Sequence, residues 1–307
     1  PDRVLAMRFS ASSPGKISFN LGMDILQDSS IIEISENTYQ VRGYINENHR
    51  PFHVLIYVKN EGGTVGQDGG SLIVGGSDTV EVYLTVATDY EMEYPDYTGA
   101  DPEKITTNII RNVVHDSYES LRMRHISDYK SLYDRVIFSV KGNKSIENLP
   151  TNERFQKLKS GKTDPGYKTL AFNLGRYLII SSSRPHTLPA NLQGVWNTFN
   201  VAPWAGNYQS NINLQEIYWS CGPTDLAECQ QAYIDWIDDI AVSGRVVAML
   251  VYGTRGWGSH TTGNIWGHAA PIGGHPWGMY PMGAAWHCQV VWDQFAFTGD
   301  TGYLRTQ

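Results

Sequence analysis

The stretch PWAGNYQSNINLQEIYW, residues 203–219, sets five amide side chains (Asn207, Gln209, Asn211, Asn213 and Gln215) among Trp204, Tyr208, Tyr218 and Trp219. Aromatic rings pack against the apolar C–H faces of a sugar, and neighbouring amides offer both donors and acceptors to its hydroxyls. So many uncharged hydrogen-bonding groups beside aromatic surface point to a carbohydrate ligand.

The stretch begins inside the first of two long loops rich in Gly, Pro and Trp, 184–210 and 252–281. Structureless loops longer than ~12–15 residues are uncommon in compact domains unless they carry function. All nine tryptophans fall between Trp196 and Trp292. Trp204, Trp257, Trp266 and Trp277, flanked by Gly and Pro, are the ligand candidates. Trp196, Trp219, Trp286 and Trp292 read equally well as helix-packing core.

Helical patterns surround these loops. Asp164-Pro165 supplies a cap and a first turn, and YKTLAFNLGRYLIISSSR (167–184) places Leu170, Leu174, Tyr177 and Leu178 on one face. A second helix is expected from Thr224 to about Leu250, with Leu226, Tyr233, Ile237 and Ile240 inward. A third is expected over about Gly283 to Phe297, where Ala284, Cys288, Val291, Trp292 and Phe295 repeat at three and four.

Earlier in the chain the period changes. KISFNLGMDI, TYQVRGYI, FHVLIYVKN, SLIVGG and TVEVYLTVATDY are short β-branched and aromatic runs separated by turn formers such as Ser12-Ser13-Pro14-Gly15 and Asp68-Gly69-Gly70. This is the pattern of an antiparallel sandwich. From Pro102 a helical stripe (Ile105, Ile109, Val113, Tyr118, Leu121) follows, and then a polar connection, KGNKSIENLPTNERFQKLKSGKTDP. The expected fold class is mixed β and α. The expected divisions are a β-sandwich over 1–100, a helical linker over 101–160 and a further helical domain over 161–307.

Bulk properties exclude several functions. With 24 Lys and Arg against 31 acids, and a net charge of −7, nucleic acid is not an expected partner. No apolar run approaches the ~20 residues of a membrane span. Cys221, Cys229 and Cys288 lack metal-type spacing and read as free thiols. His268, His275 and His287 form no defensible ligand set for a metal, and no phosphate-binding strand-turn-helix motif occurs. No cofactor is expected. Acids between 184 and 281 are scarce: Glu216, and then Asp225, Glu228, Asp235, Asp238 and Asp239 on the expected second helix. Periodicity reveals no pair of carboxylates such as a typical glycosidase needs.

Four motifs in series are more specific. LPANLQGVWN (188–197), PWAGNYQSNINLQEIYW (203–219), GTRGWGSH (253–260) and PWGMYPMGAAWHCQVVWDQFAFTGD (276–300) resemble glycoside hydrolase family 95, the inverting α-L-fucosidases. The similarity extends back through GRYLIISSSRP and DYKSLYDRV. The resemblance implies an N-terminal β-sandwich, a helical linker and an (α/α)6 catalytic barrel, of which this chain holds the first half.

It also implies an unusual catalytic base: amides matching Asn211 and Asn213, polarised by a carboxylate from late in the barrel, position the attacking water. That carboxylate and the general acid are expected beyond Gln307. Asp293, at a position where relatives often carry Glu, reads as helix packing or capping.

His260 matches a retained family position and is the expected sugar contact, together with Thr261, Trp204, Gln209, Trp257 and Trp266. A structural histidine that ties down its loop is the competing reading of His260. Departures from the pattern touch specificity: Gln209 stands where His is frequent, and Thr261, Thr262 and Asn264 replace later polar residues. An L-galactoside could therefore replace the fucoside as substrate. A carbohydrate-binding protein without catalysis is a further alternative. A phosphate-using disaccharide phosphorylase is disfavoured, because only Arg184 and Arg255 fall in the loops. The expected partner is an oligosaccharide or glycan. The chain opens at Pro1 within strand-like sequence, and the full-length parent is expected to be periplasmic or secreted.

Overall fold

A computed structural model describes residues 2–27 and 31–306. It divides into two compact units: residues up to Glu91 together with Asp96–Asp128, and Met92–Pro95 together with residues from Tyr129 onward.

The first unit contains β1 (Leu5–Ser10), β2 (Ile17–Leu21), β3 (Ile31–Ser35), β4 (Thr38–Tyr44), β5 (Pro51–Glu61), β6 (Thr64–Asp68), β7 (Ser71–Ser77) and β8 (Thr79–Thr88). They form two antiparallel sheets, ordered β1-β8-β5-β4-β3 and β2-β7-β6. Side chains alternate across a strand, so one face of each sheet is apolar. Tyr39, Val41, Val54, Ile56, Val58, Val80 and Val82 of the larger sheet share a single cluster with Leu72 and Val74 of the smaller. Two sheets over one core is sandwich packing.

The opposite face of the larger sheet presents Leu55 and Tyr83. These pack with Ile110 and Val113 of α1 (Pro102–Val113) and with Leu121 of α2 (Tyr118–Tyr133). Asp101 caps α1 by accepting from Glu103 N, and Pro102 opens its first turn. The helical run expected from Pro102 is thus two helices. Ser117 Oγ accepts from Ser120 N and starts the second.

The second unit is mostly helical: α3 (Lys144–Glu147), α4 (Thr151–Lys159), α5 (Pro165–Ser182), α6 (Asn213–Tyr218), α7 (Ala227–Tyr252), α8 (His275–Gly278), α9 (Gly283–Thr298) and α10 (Thr301–Thr306). Two-residue strands β9 (Tyr208–Gln209) and β10 (Thr262–Gly263) lie among them. The polar stretch after residue 140, expected as a connection, contains α3 and α4. Arg154 forks onto the Asp164 carboxylate at 2.8 and 3.0 Å, and Asp164 caps α5 through Tyr167 N. The guanidinium holds that carboxyl below its ordinary range.

Along α7 the expected inward residues Leu226, Tyr233, Ile237 and Ile240 are all buried, joined by Trp236. On α5 the expected face is reversed: Leu174 is 52% exposed, and Tyr177 and Leu178 are also exposed, while Arg176, Ile179 and Ile180 are buried. The reason is the Arg176 guanidinium, which donates to the carbonyls of Leu132, Tyr133 and Val136. A cation with enough carbonyl acceptors can be buried, and its position turns the helix. On α9 the buried set is Gly283, Ala284, His287, Val290 and Gln294, rotated from the expected stripe, and Trp292 is exposed. Here too polar side chains with internal partners take the inner face. Gln294 Nε2 donates to Ala227 O.

Leu72 is fully buried between the sheets. Leu72→Ala is expected to destabilise the β unit by about 2–5 kcal/mol, read as a lower urea midpoint for the β-sheet signal.

Candidate active site

The two motif loops of the helical unit are joined by backbone hydrogen bonds. β9 and β10 pair antiparallel, with Thr262 opposite Gln209 and Gly263 opposite Tyr208. One residue further on, Ser210 N donates to Thr261 O at 2.7 Å. The ladder rests on α7: the Tyr208 ring meets Trp236 edge-on at 5.0 Å, and Trp236 Nε1 donates to Asn264 O at 3.0 Å. A Cβ at Gly263 would lie 2.5 Å from the Trp236 ring, so only glycine permits this approach.

α6 starts directly after the ladder and is anchored by its far end. Tyr218 OH accepts from Ala190 N at 2.7 Å and shares a hydrogen bond with Ser183 Oγ, also at 2.7 Å. Loop 188–197 is held against the same stretch by Leu192 N to Asn207 O and by Tyr208 OH to Pro189 O.

These tethers surround a cavity of about 570 Å³ lined by Leu192, Gln193, Pro203, Trp204, Gln209 and Asn213, within the size range of small-molecule sites. Trp204 and Ala205 both sit at positive φ, 52° and 55°. For residues with a Cβ this is a strained conformation that local structure must hold in place. Gln193 Nε2 helps by donating to Pro203 O at 2.9 Å. The result is a Trp204 side chain on the rim, 73% exposed. Gln209 Nε2 is oriented by Asn207 Oδ1 at 2.6 Å, and Asn213 is exposed at the first position of α6.

Asn211 differs from its neighbours in one respect. Its Oδ1 is buried and has no hydrogen-bond partner, as are Ser210 Oγ and Gln215 Oε1. Gln215 Nε2 donates to Ser210 O at 2.6 Å, which fixes the backbone just before Asn211. A buried acceptor left unpaired costs about 1–3 kcal/mol, so three in six residues make this the polar stress point of the unit.

Of the eight expected site residues, the structure gathers Trp204, Gln209 and Asn213 on one cavity, with Asn211 between the latter two in sequence. The others have internal engagements. His260 is completely buried. Its Nδ1 accepts from Tyr280 N at 3.1 Å, so the neutral ring carries its proton on Nε2, which faces Tyr252 OH at 3.3 Å. Burial first, then His268, lowers its pKa. Both nitrogens are used within the protein, and the expected sugar contact is here a loop anchor. Thr261 is buried with Oγ1 donating to Trp277 O at 2.6 Å. Trp257 stacks on His287 at 6.1 Å, and Trp266 is half-buried, its N bonded to Asn264 Oδ1. Gln193 and Leu192 were not singled out in the sequence. The LPANLQGVWN motif that contains them was the available signal.

Asp293 lines a different cavity, of about 420 Å³, with Gln215, Tyr218, Trp219, Gln230 and Trp286 among its neighbours. Burial raises its pKa. Among the described residues no group of three or more His, Cys, Asp or Glu could hold a metal ion, and no helix is long and apolar enough to cross a membrane.

The chain carries a sandwich-bearing β unit and a helical unit whose cavity is lined by one tryptophan and three amides. Comparison with known proteins makes this specific. Residues 117–307 match the glycosyl hydrolase family 95 catalytic domain, and residues 1–93 match the glycosyl hydrolase family 65 N-terminal domain. The chain belongs to glycosyl hydrolase family 95.

It is 33% identical over 336 residues to "Alpha-L-fucosidase 2" of Arabidopsis thaliana, covering 99% of this chain and 40% of that protein. It is 30% identical over 323 residues to "Probable alpha-fucosidase A" of Aspergillus niger, with the same coverage of 99% and 40%. The chain thus spans about 40% of the length of these curated relatives. A solved structure described as "Putative kojibiose phosphorylase from human microbiome" superposes with a TM-score of 0.62 at 11% identity, over 99% of this chain and 37% of its own. At that identity the likeness concerns the fold.

His287 generates a pH prediction. Completely buried, with Nδ1 2.6 Å from Tyr233 OH and Nε2 3.3 Å from Ser259 Oγ, it has its pKa pushed down by burial to about 3. The unfolded chain titrates near ~6.5, so between these values it binds the extra proton. The stabilisation is complete above the unfolded value and is lost as pH falls through the folded one. The urea midpoint of the helical unit is expected to fall as pH drops from about 7 to about 4. His287→Phe should flatten that slope; an unchanged slope would contradict the assignment.

Proposed function

We propose that the whole protein hydrolyses terminal α-L-fucosyl residues of glycans with inversion, and that Asn211 and Asn213 hold the attacking water. The observation that carries this reading is the buried, unpartnered Asn211 Oδ1 two residues from Asn213, which lines the cavity. An amide oxygen with nothing to accept from is prepared to accept from water. The relatives named as α-fucosidases, at 33% and 30% identity, support the substrate class.

In the proposed reaction the water oxygen attacks the anomeric carbon from the face opposite the leaving group as the glycosidic C–O bond breaks. A general acid protonates the departing oxygen, and the water gives up a proton. A neutral amide is too weak a base to take that proton unaided. A carboxylate hydrogen-bonded to its N–H side would polarise it and take an amide proton as the amide oxygen takes the proton from the water, so that the amide stays neutral and the carboxylate ends protonated. The six residues lining the cavity include no carboxylate, so the acid and this partner are supplied by other parts of the enzyme. Trp204 offers the apolar platform for the ring, and Gln209 offers an oriented amide for a hydroxyl. His260 and Thr261 act in this reading by fixing the loop that bears β10. Within the same proposal the helical unit is the first part of an (α/α)6 barrel, with the division near 1–100, 101–160 and 161–307.

In the full-length enzyme, Asn211→Ala and Asn213→Ala are each expected to lower kcat on an aryl α-L-fucoside by about 10²-fold or more while KM changes little. Trp204→Ala should act mainly on KM. Wild-type kcat in both amide variants would overturn the assignment, and preferential turnover of the aryl α-L-galactoside would reassign the substrate.

A further inference from the structure

The β unit contains a cavity of its own, about 580 Å³, whose lining includes Arg42, Phe52, His53, Asp89, Asp101 and Glu103. Its volume falls in the range of small-molecule sites. Most of its charged groups are committed to internal partners. Asp89 pairs with Arg50 at 3.1 Å, Asp101 Oδ1 caps α1, and Arg42 reaches Glu33 at 2.5 Å and Glu103 at 3.5 Å through its terminal nitrogens.

Three buried polar atoms of the lining have no hydrogen-bond partner, and since Asp89 Oδ1 is ion-paired with Arg50, two are left uncommitted: His53 Nε2 and Arg42 Nε. His53 is 1% exposed, and the two residues are direct cross-strand partners on β5 and β4. Side chains so paired extend from the same face of the sheet, with Cβ atoms about 5 Å apart.

The hydrogen-bond pattern fixes what each atom offers. Thr106 Oγ1 lies 3.1 Å from Pro102 O and 3.2 Å from Glu103 O, so its one hydrogen goes to a carbonyl of its own helix. The oxygen must then accept from His53 Nδ1, 2.6 Å away. With the proton on Nδ1, Nε2 carries a lone pair. Burial lowers the pKa of this imidazole and favours its neutral form. Arg42 Nε is a donor only.

An acceptor beside a donor is matched by a group that can do both, and a hydroxyl does. A carboxylate has no hydrogen for Nε2, and a carboxylate or phosphate alike would bring its negative charge up to Asp89, Asp101 and Glu103. An ammonium has no lone pair for Nε–H. We propose that this cavity is a second binding site, in the β unit, for a neutral hydroxyl-rich ligand of the sugar class, one hydroxyl of which donates to His53 Nε2 and accepts from Arg42 Nε. Tyr44, two residues on from Arg42 and therefore on the same face of β4, supplies apolar surface for the ring. The Arg42 side chain is 40% exposed, which puts this residue at the solvent-facing side of the cavity.

The site stands apart from the reading of the helical unit, and the test separates them. Neutral monosaccharides, L-fucose and D-galactose, are titrated into the intact chain while the imidazole nitrogens are followed by NMR, with His53→Phe identifying the resonance. The expected result is a saturable shift of His53 Nε2 at millimolar sugar. It should weaken about tenfold or more in Arg42→Met and persist in Asn213→Ala. Circular dichroism checks each variant's fold. The proposal is overturned by an unmoved His53 resonance at saturating sugar, which would leave ordered water as the partner of both atoms. It is equally overturned by a response to ethanolamine or inorganic phosphate in place of sugar, or by loss of the response in Asn213→Ala.

Discussion

The candidate active site depends on three consecutive backbone contacts between Tyr208–Ser210 and Thr261–Gly263. Two loops more than fifty residues apart in sequence become one surface through them, and Trp236 beneath fixes the height of that surface. Without the ladder, Asn211 and Asn213 would sit on a long loop whose conformational entropy would have to be overcome at every binding event. With it, ordering is complete before a ligand arrives, which is the condition for a weakly basic group to contribute to catalysis at all. His260 belongs to the same argument. A fully buried imidazole with both nitrogens engaged fixes the approach to β10 by linking Tyr252 at the end of α7 with Tyr280.

The strands and the long helix were legible because their burial follows a simple period. β5, β7 and β8 coincide with runs of β-branched residues, and the Leu226, Tyr233, Ile237 and Ile240 stripe of α7 is buried as its spacing requires. Weaker strands such as β6, with Gly66, Gln67 and Asp68, lack that signal and gain their identity from pairing with β7. The rotations of α5 and α9 have another cause. Hydrophobic periodicity treats Arg176, His287 and Gln294 as outward residues, whereas each finds partners inside the fold. Which carbonyls will be in reach of a guanidinium is a tertiary fact that no local pattern contains.

The site was legible to a different depth. The amide-and-aromatic composition of 203–219 identified where to look, and Trp204, Gln209 and Asn213 do share a cavity. Composition could not distinguish residues that face this space from residues that build its walls. Trp257 and Trp266 lie in Gly- and Pro-rich loop sequence as Trp204 does. Yet Trp257 stacks on a buried histidine, while Trp204 is lifted outward by a turn at positive φ. That conformation is the difference, and no glycine at 204 or 205 announces it.

Unpaired polar atoms make the remaining connection between structure and function. A folded chain satisfies nearly all its buried donors and acceptors, so those left over mark places where folding alone did not determine the side chain. In the helical unit Ser210 Oγ, Asn211 Oδ1 and Gln215 Oε1 lie close together in sequence, with Arg176 Nε, Gln193 Oε1 and His268 Nε2 elsewhere; in the β unit the cross-strand neighbours Arg42 and His53 are joined by Ser77 Oγ and Asp89 Oδ1. The two sets differ chemically. The 210–215 group consists of oxygens alone, able to order a water or a hydroxyl by its hydrogens; the Arg42–His53 pair is one acceptor beside one donor, which matches a single hydroxyl group. A carboxylate in place of Asn211 would bind water more strongly, but as a buried charge without a cation it would be driven towards its protonated form. An amide avoids that penalty, and it acquires basicity only when a negative partner polarises it. On the proposed mechanism such a site is inert until fully assembled, because its strength resides in the geometry of several groups and not in the pKa of one.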